Sequence, residues 1–334
     1  MLHKIMKYLG KFTLIFMTLI VIVIFVFYRS DLELSDLEDT YFTEHSSYIT
    51  LSIPSLDSSN LEIIIHYQDV GTPGDPVIVL LHGAFASSHT FIPWSDSLVE
   101  AGYRIIMIDL PYHGLSGGFT DQITSLRRSA FVVKALLDSL SIQEVMIGGN
   151  SMGGGVSWYF TSIFHGVDEF QVLGLVLIDA IYPVMAGGRP ANSLFAFVSQ
   201  EPYASFFSKL TPRFLLASIL RGVYGSDATL EDETIDRYYD LLRRSGNRKA
   251  ILVNTQESID TSLSLSIIKS YDIPVLVMWG IEDSWIPVST VDLFKTDLQL
   301  SDSNIVIYEG LGHVPMEEDP ALTIIDLMIF LNQQ

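Results

Sequence analysis

The chain has 334 residues, a formal net charge of −20 and no cysteine. That length supplies one large core plus an insertion rather than two independent domains. The missing cysteines exclude disulfides and thiolate metal sites, and so acidic a surface repels nucleic acid and anionic lipid headgroups; no His/Glu spacing suggests a metal site, and neither a metal nor a cofactor is expected.

The first element is apolar. Phe12 to Tyr28 is seventeen residues without a charge, at the short end of what spans a bilayer. Lys4, Lys7 and Lys11 precede it and Arg29 follows, which predicts a cytoplasmic N-terminus and a domain facing outward, the periplasmic face of the inner membrane in a bacterium. The competing reading is a cleaved signal peptide and a secreted protein. Val26-Phe27-Tyr28-Arg29 offers no small-x-small cleavage site, so an uncleaved anchor over residues 1–29 is expected. Setting aside its four cations leaves residues 30–334 at −24. Residues 30–59 are polar and acidic, and read as a stalk and entry segment.

From residue 60 onward strand-like runs alternate with helix-like ones, the pattern of an α/β fold with a mostly parallel sheet. Strands are predicted at Leu61–Tyr67, Val77–Leu81, Arg104–Ile108, Val145–Ile147, Leu173–Ile178, Val275–Met278 and Ile305–Tyr308, and helices at Phe91–Ala101, Ile123–Leu140, Met152–Phe164, Val288–Leu298 and Ala321–Asn332. Between Asp179 and Tyr271 the strand rhythm stops. That stretch is rich in aromatics, Phe195 and Phe197 among them, with helical patterns near Phe214–Arg221 and Leu230–Arg244. Its cationic cluster, Arg237, Arg243, Arg244, Arg248 and Lys249, reads as a solvated or salt-bridged face.

The chemistry centres on Gly149-Asn150-Ser151-Met152-Gly153, a G-x-S-x-G pattern between a strand and a helix. Glycines at −2 and +2 leave room for a turn sharp enough to lift a serine hydroxyl out of the sheet. A serine needs a base to take its proton and a third group to hold the base. Such an elbow is followed in chain order by the acid and then the histidine. His313, in the loop Gly310-Leu311-Gly312-His313, is the base candidate. Asp283, after Trp279-Gly280, is the acid candidate, with Glu282 and Asp179 as rivals. The oxyanion of a tetrahedral intermediate needs two donors. The backbone N–H of Met152 is one candidate. The other lies in His82-Gly83-Ala84-Phe85: Ala84 N–H, with Phe85 N–H as alternative and His82 fixing the loop.

Taken together, His82-Gly83, Asp109-Leu110-Pro111-Tyr112-His113-Gly114, the elbow, Trp279-Gly280-Ile281-Glu282-Asp283 and Gly312-His313 resemble the α/β-hydrolase superfamily. The lineage resembled includes esterases, cofactor-free haloperoxidases and meta-cleavage-product hydrolases. The resemblance implies an α/β-hydrolase fold with an eight-stranded, mostly parallel sheet. It implies a core of residues 60–182 and 263–334, and a helical cap of residues 183–262 inserted after strand six. It also implies that Asp109 and His113 are loop scaffolding. Two departures stand out. Tyr112 replaces a frequent glycine, and His82-Gly83-Ala84-Phe85 lacks the glycine-proline-glycine loop of meta-cleavage-product hydrolases.

The expectation is a membrane-anchored serine hydrolase with a Ser151, His313, Asp283 triad, acting on carboxylic esters or similar small acyl substrates with an apolar part. A carbon–carbon bond hydrolase, a perhydrolase and a catalytically silent interaction protein on the same fold are the alternatives.

Overall fold

The computed structural model describes residues 2–56, 59–183, 200, 202–253, 255–256 and 264–333. The core is an eight-stranded sheet. Its strands are β1 (Ser46–Pro54), β2 (Asn60–Val70), β3 (Val77–Leu81), β4 (Arg104–Ile108), β5 (Glu144–Asn150), β6 (Gln171–Ile178), β7 (Val275–Gly280) and β8 (Ile305–Tyr308). They lie in the order β1-β2-β4-β3-β5-β6-β7-β8. β2 pairs antiparallel with β1 and β4, and every other pairing is parallel. The continuous apolar runs of β3 and β4 follow from this position: central parallel strands are covered on both faces, and Ile78–Leu81 and Ile105–Ile108 are all buried.

Helices α1 (Leu2–Phe27), α2 (Leu34–Tyr41), α3 (Ile92–Glu100), α4 (Leu126–Ser139) and α5 (Met152–Phe164) precede a group between β6 and β7. That group comprises α6 (Tyr203–Phe207), α7 (Arg213–Arg221), α8 (Asp232–Leu242), α9 (Asn247–Val253) and α10 (Ser264–Ser270). α11 (Thr290–Leu298), α12 (Pro315–Glu318) and α13 (Pro320–Leu331) complete the chain. Phe195 and Phe197 lie outside the described residues. Several boundaries shift from expectation for local reasons. α4 starts at Leu126 because Ser125 caps it, its side chain accepting from Arg128 N–H, and residues Ile123–Thr124 form a short strand beside Thr255–Gln256. α1 begins well before Phe12 and takes in all three lysines. Its Met6–Phe27 segment, 22 residues, is long and apolar enough to cross a membrane and is not buried in the protein.

The expected stalk is a correction. Residues 30–56 are built into the folded body. α2 sets Leu37 into a buried cluster with Leu115 and Leu241. β1 adds a nine-residue edge to the sheet, with Leu51 and Ile53 inward. Leu32 bridges to Arg244, and Arg248 donates to the Asp31 carboxylate at 2.5 Å. The acidic composition hid this because α2 is acidic on its outer face while spacing its leucines toward the body. The expected cationic face is largely ion-paired: Arg237 with Glu317, Arg243 with Asp240 and Arg248 with Asp31.

A packed α2 has a measurable consequence. Leu37→Ala should destabilise the protein by about 2–4 kcal/mol in urea unfolding, whereas a free stalk would leave the midpoint unchanged.

Candidate active site

Every candidate side chain sits at or just beyond the C-terminal end of a strand, where open α/β sheets bind ligands. Ser151 follows β5 and has φ 53° and ψ −116°, a conformation a non-glycine residue adopts only under constraint. The constraint is visible on both sides. A Cβ on Gly149 would lie 2.5 Å from the Leu81 carbonyl oxygen, and one on Gly153 would run into the same carbonyl. Ser151 N–H donates to Ile178 C=O at 2.9 Å, and its own carbonyl accepts from Gly155 and Ile181. The elbow is thus tied to β6 and to the first turn of α5.

His313 Nδ1 lies 2.7 Å from Asp283 Oδ2, and both residues are buried. The other oxygen of Asp283 accepts from Trp285 N–H at 2.7 Å and Ile286 N–H at 3.0 Å. Three donors therefore fix one carboxylate, and the imidazole's Nε2 is left facing away from it. Asn150 Nδ2 donates to the His313 carbonyl at 2.8 Å, which ties the histidine loop to the residue before the serine. Ser151 Oγ and His313 make no hydrogen bond to each other; such contacts commonly tighten only in the Michaelis complex.

The rivals for the acid fall elsewhere. Glu282 points to Ser226, accepting from its N–H and hydroxyl at 2.7 Å. Asp179 is fully buried next to Asp283. Burial, with the charge of Asp283 added, pushes its carboxyl well above the ordinary range. Oδ1 accepts from Gly280 N–H at 3.1 Å, and Oδ2, with no donor aimed at it, is placed to carry the proton. Ligand atoms of Asp179, Asp283 and His313 lie within 4.8 Å of one another. A protonated Asp179 beside an already paired Asp283 and His313 suits a hydrogen-bonded acid cluster better than a cation site.

The β3 loop supplies the opposite wall. Leu110 N–H donates to His82 Nε2 at 3.0 Å, which fixes the ring as the Nδ1–H tautomer donating to Gly83 C=O at 2.7 Å. A Cβ on Gly83 would lie 2.7 Å from Asn150 Oδ1 and 3.2 Å from Ser151 Cβ, so only glycine lets this loop approach the serine. Phe85 follows with φ 68°. The N–H groups of Ala84, Phe85 and Met152 make no hydrogen bond among the described residues, so they remain available to an oxyanion.

Above them is a small cleft, about 370 Å³ including its open mouth. Leu216, Ile219 and Leu220 of α7 line it with Phe85, Tyr238 and Trp285, and among the described residues no Lys or Arg side chain does. Trp285, 5.5 Å from the His313 ring and 6.2 Å from Phe85 between centroids, was not visible as a site residue in the sequence. Neither was Glu318, whose carboxylate accepts from Gly225, Gly312 and Val314 N–H groups and so holds the loop that carries His313. The one local signal was the Trp285 position two residues after Asp283.

A family model described as alpha/beta hydrolase fold matches residues 76–320. A 2-hydroxy-6-oxononadienedioate/2-hydroxy-6-oxononatrienedioate hydrolase of Burkholderia vietnamiensis (strain G4 / LMG 22486) is 26% identical over 282 residues, covering 80% of this chain and 91% of that protein. Among solved structures, a membrane phospholipase A described as a bacterial virulence factor superposes with a TM-score of 0.66 at 22% identity, covering 98% of each chain. A thermophilic esterase from Thermogutta terrifontis superposes with a TM-score of 0.65 at 19% identity, covering 86% of this chain and 98% of that one.

Asp109 anchors the loop that follows β4. Its carboxylate accepts from Ser88 N–H at 2.6 Å and Leu115 N–H at 2.8 Å, and meets His66 Nδ1 at 2.8 Å. Burial alone would raise its pKa; the adjoining His66 ring, by charge and hydrogen bond, holds it well below the carboxylate range instead. His113 is buried in the same loop, with Nδ1 at 2.9 Å from Pro111 C=O and no partner for Nε2. Burial, reinforced by the neighbouring His82, pushes its pKa down to about 4. A depressed histidine contributes stability that is complete above the unfolded value of 6.5 and is lost as pH falls through about 4. Wild type should therefore lose stability relative to His113→Gln between pH 6.5 and 4, by up to ~1.4 kcal/mol per pH unit. Urea midpoints measured across that range for both proteins check it; parallel curves would mean that His113 protonates without penalty.

Proposed function

The chain belongs to the alpha/beta hydrolase family, and on that premise we propose that it is a membrane-anchored serine hydrolase acting on carboxylic esters with an apolar acyl or alcohol part. The observation that carries the reading is the Asp283–His313 hydrogen bond beside a serine held on a strained elbow. His313 takes the Ser151 proton as Oγ attacks the ester carbonyl. Asp283 holds the ring in the tautomer whose Nε2 is free to do so. The N–H groups of Met152 and Ala84 receive the oxyanion. His313 then returns the proton to the leaving alcohol, and the acyl-enzyme is hydrolysed by a water that His313 deprotonates in turn.

Carbon–carbon bond hydrolysis is the second reading; the relative is named as a hydrolase of a 2-hydroxy-6-oxo dienedioate or trienedioate. Its named substrates are dianions, whereas the cleft wall formed by the described residues is apolar and includes no Lys or Arg. An uncharged ester leaves no carboxylate to desolvate there, and avoids the cost of an unpaired buried charge.

α1 supports the anchor: Met6–Phe27 measures about 33 Å at 1.5 Å per residue, close to the ~30 Å hydrocarbon core. Lys4, Lys7 and Lys11 at its start favour a cytoplasmic N-terminus and an outward-facing domain.

A fluorophosphonate probe tests the nucleophile. Wild type should label, and Ser151→Ala and His313→Ala should not. Asp283→Asn should keep the fold and lower kcat on a short-chain ester by about 10³–10⁴-fold. Labelling that survives Ser151→Ala would move the nucleophile elsewhere.

A further inference from the structure

The span does not end in a free tether. Phe27, its last residue, packs edge-on against Phe214 of α7 with centroids 5.6 Å apart, and Tyr28 meets Phe206 of α6 at 6.5 Å. Arg29 N–H donates to Lys209 C=O at 2.8 Å. Arg248 donates to Arg29 C=O at 2.9 Å, so the connection is fixed on both sides. If α1 crosses the bilayer, these contacts hold α6 and α7 at the depth where its apolar run ends.

α6 and α7 present large apolar side chains outward at this point. Phe206, Phe207, Phe214 and Leu215 are 38–58% exposed. α7 is two-sided: Leu216 and Leu220 turn into the candidate cleft, Phe214 and Leu215 turn outward, and Ile219 lines the cleft while 38% exposed. The same helix is therefore a wall of the cleft and the neighbour of the membrane span. A contiguous exposed apolar patch on an otherwise acidic domain calls for an occupant. Lys209 follows α6 and Arg221 ends α7, and aromatic side chains on elements that carry cations at their ends suit the boundary between headgroups and acyl chains.

We propose that the outward face of α6 and α7 is seated in the bilayer leaflet that α1 enters, so that the cleft takes long-chain acyl esters from the lipid phase rather than from water. This rests on the reading of α1 as a span and of the cleft as an ester site, and it names the substrate class of that site as lipid-dissolved acyl esters. The span anchors the domain and, through Phe27 and Phe214, sets its tilt so that the cleft wall meets the membrane.

The chain's lack of cysteine makes site-directed labelling clean. In full-length protein reconstituted into phosphatidylcholine vesicles, nitroxides at Phe207→Cys and Leu215→Cys should collide with oxygen in preference to a water-soluble nickel chelate. A nitroxide at Thr72→Cys should show the reverse, because the turn before β3 lies at the opposite end of the sheet from the cleft. Nickel-dominated collisions at all three positions would overturn the proposal. So would labels shielded from both reagents with spin–spin broadening, which would put a second copy of the chain on the patch. A functional arm uses the double variant Phe207→Asp/Leu215→Asp. It should hydrolyse water-soluble 4-nitrophenyl acetate within two-fold of wild type, yet lose at least ten-fold on 4-nitrophenyl palmitate dissolved in the vesicles. Equal rates on both esters would overturn the proposal while leaving the serine hydrolase reading intact. Absence of turnover in wild type would instead defeat that reading, and the collision data would still decide the docking face.

Discussion

The structure depends on one close approach: the β3 loop, the β5–α5 turn and β6 converge around Ser151 with no space for side chains between them. Gly149 and Gly153 each face the Leu81 carbonyl, and Gly83 faces Asn150 and Ser151. Removing three Cβ atoms lets three backbones meet, and their meeting is what holds Ser151 at φ 53°. A backbone so constrained aims its hydroxyl without relying on side-chain rotamers, and the start of α5 behind it presents unpaired N–H groups to developing negative charge.

The histidine side of the cleft is organised by carboxylates rather than by backbone strain. Asp283 is fixed by Trp285, Ile286 and His313, and Glu318 gathers three N–H groups around the loop that carries His313. Asp179 lies beneath them, its carboxyl pushed well above the ordinary range by burial and, after it, by the charge of Asp283. The two halves meet where Asn150 holds the His313 carbonyl. Orientation of the His313 ring thus comes from a chain of hydrogen bonds that runs back to the elbow.

What the sequence made legible follows from burial. β3 and β4 lie where their apolar runs place them, to the residue, because runs of that length bounded by turns fit central, covered strands; the edge strand β8 also matches its run, bounded by the loop that carries His313. The elbow could be read because its glycines answer a local steric demand. α2 and β1 could not: Leu34, Leu37 and Tyr41 sit among acidic residues, and their partners Leu115 and Leu241 are distant in the chain. Trp285 and Glu318 were illegible for the same reason, since their roles arise from tertiary contacts that no local pattern encodes. Asp179 was readable as a strand-end residue, but the upward shift of its carboxyl depends on burial and on Asp283 lying next to it, about a hundred residues further on.

The central claim is that Ser151 forms a covalent acyl intermediate through His313. The most direct measurement is the intact mass of the protein acid-quenched within milliseconds of mixing with 4-nitrophenyl butyrate. The account predicts one added butyryl group, mapped to Ser151 by peptide mass spectrometry and released on the timescale of turnover. Steady hydrolysis without any acylated protein, or an adduct on another residue, would contradict it.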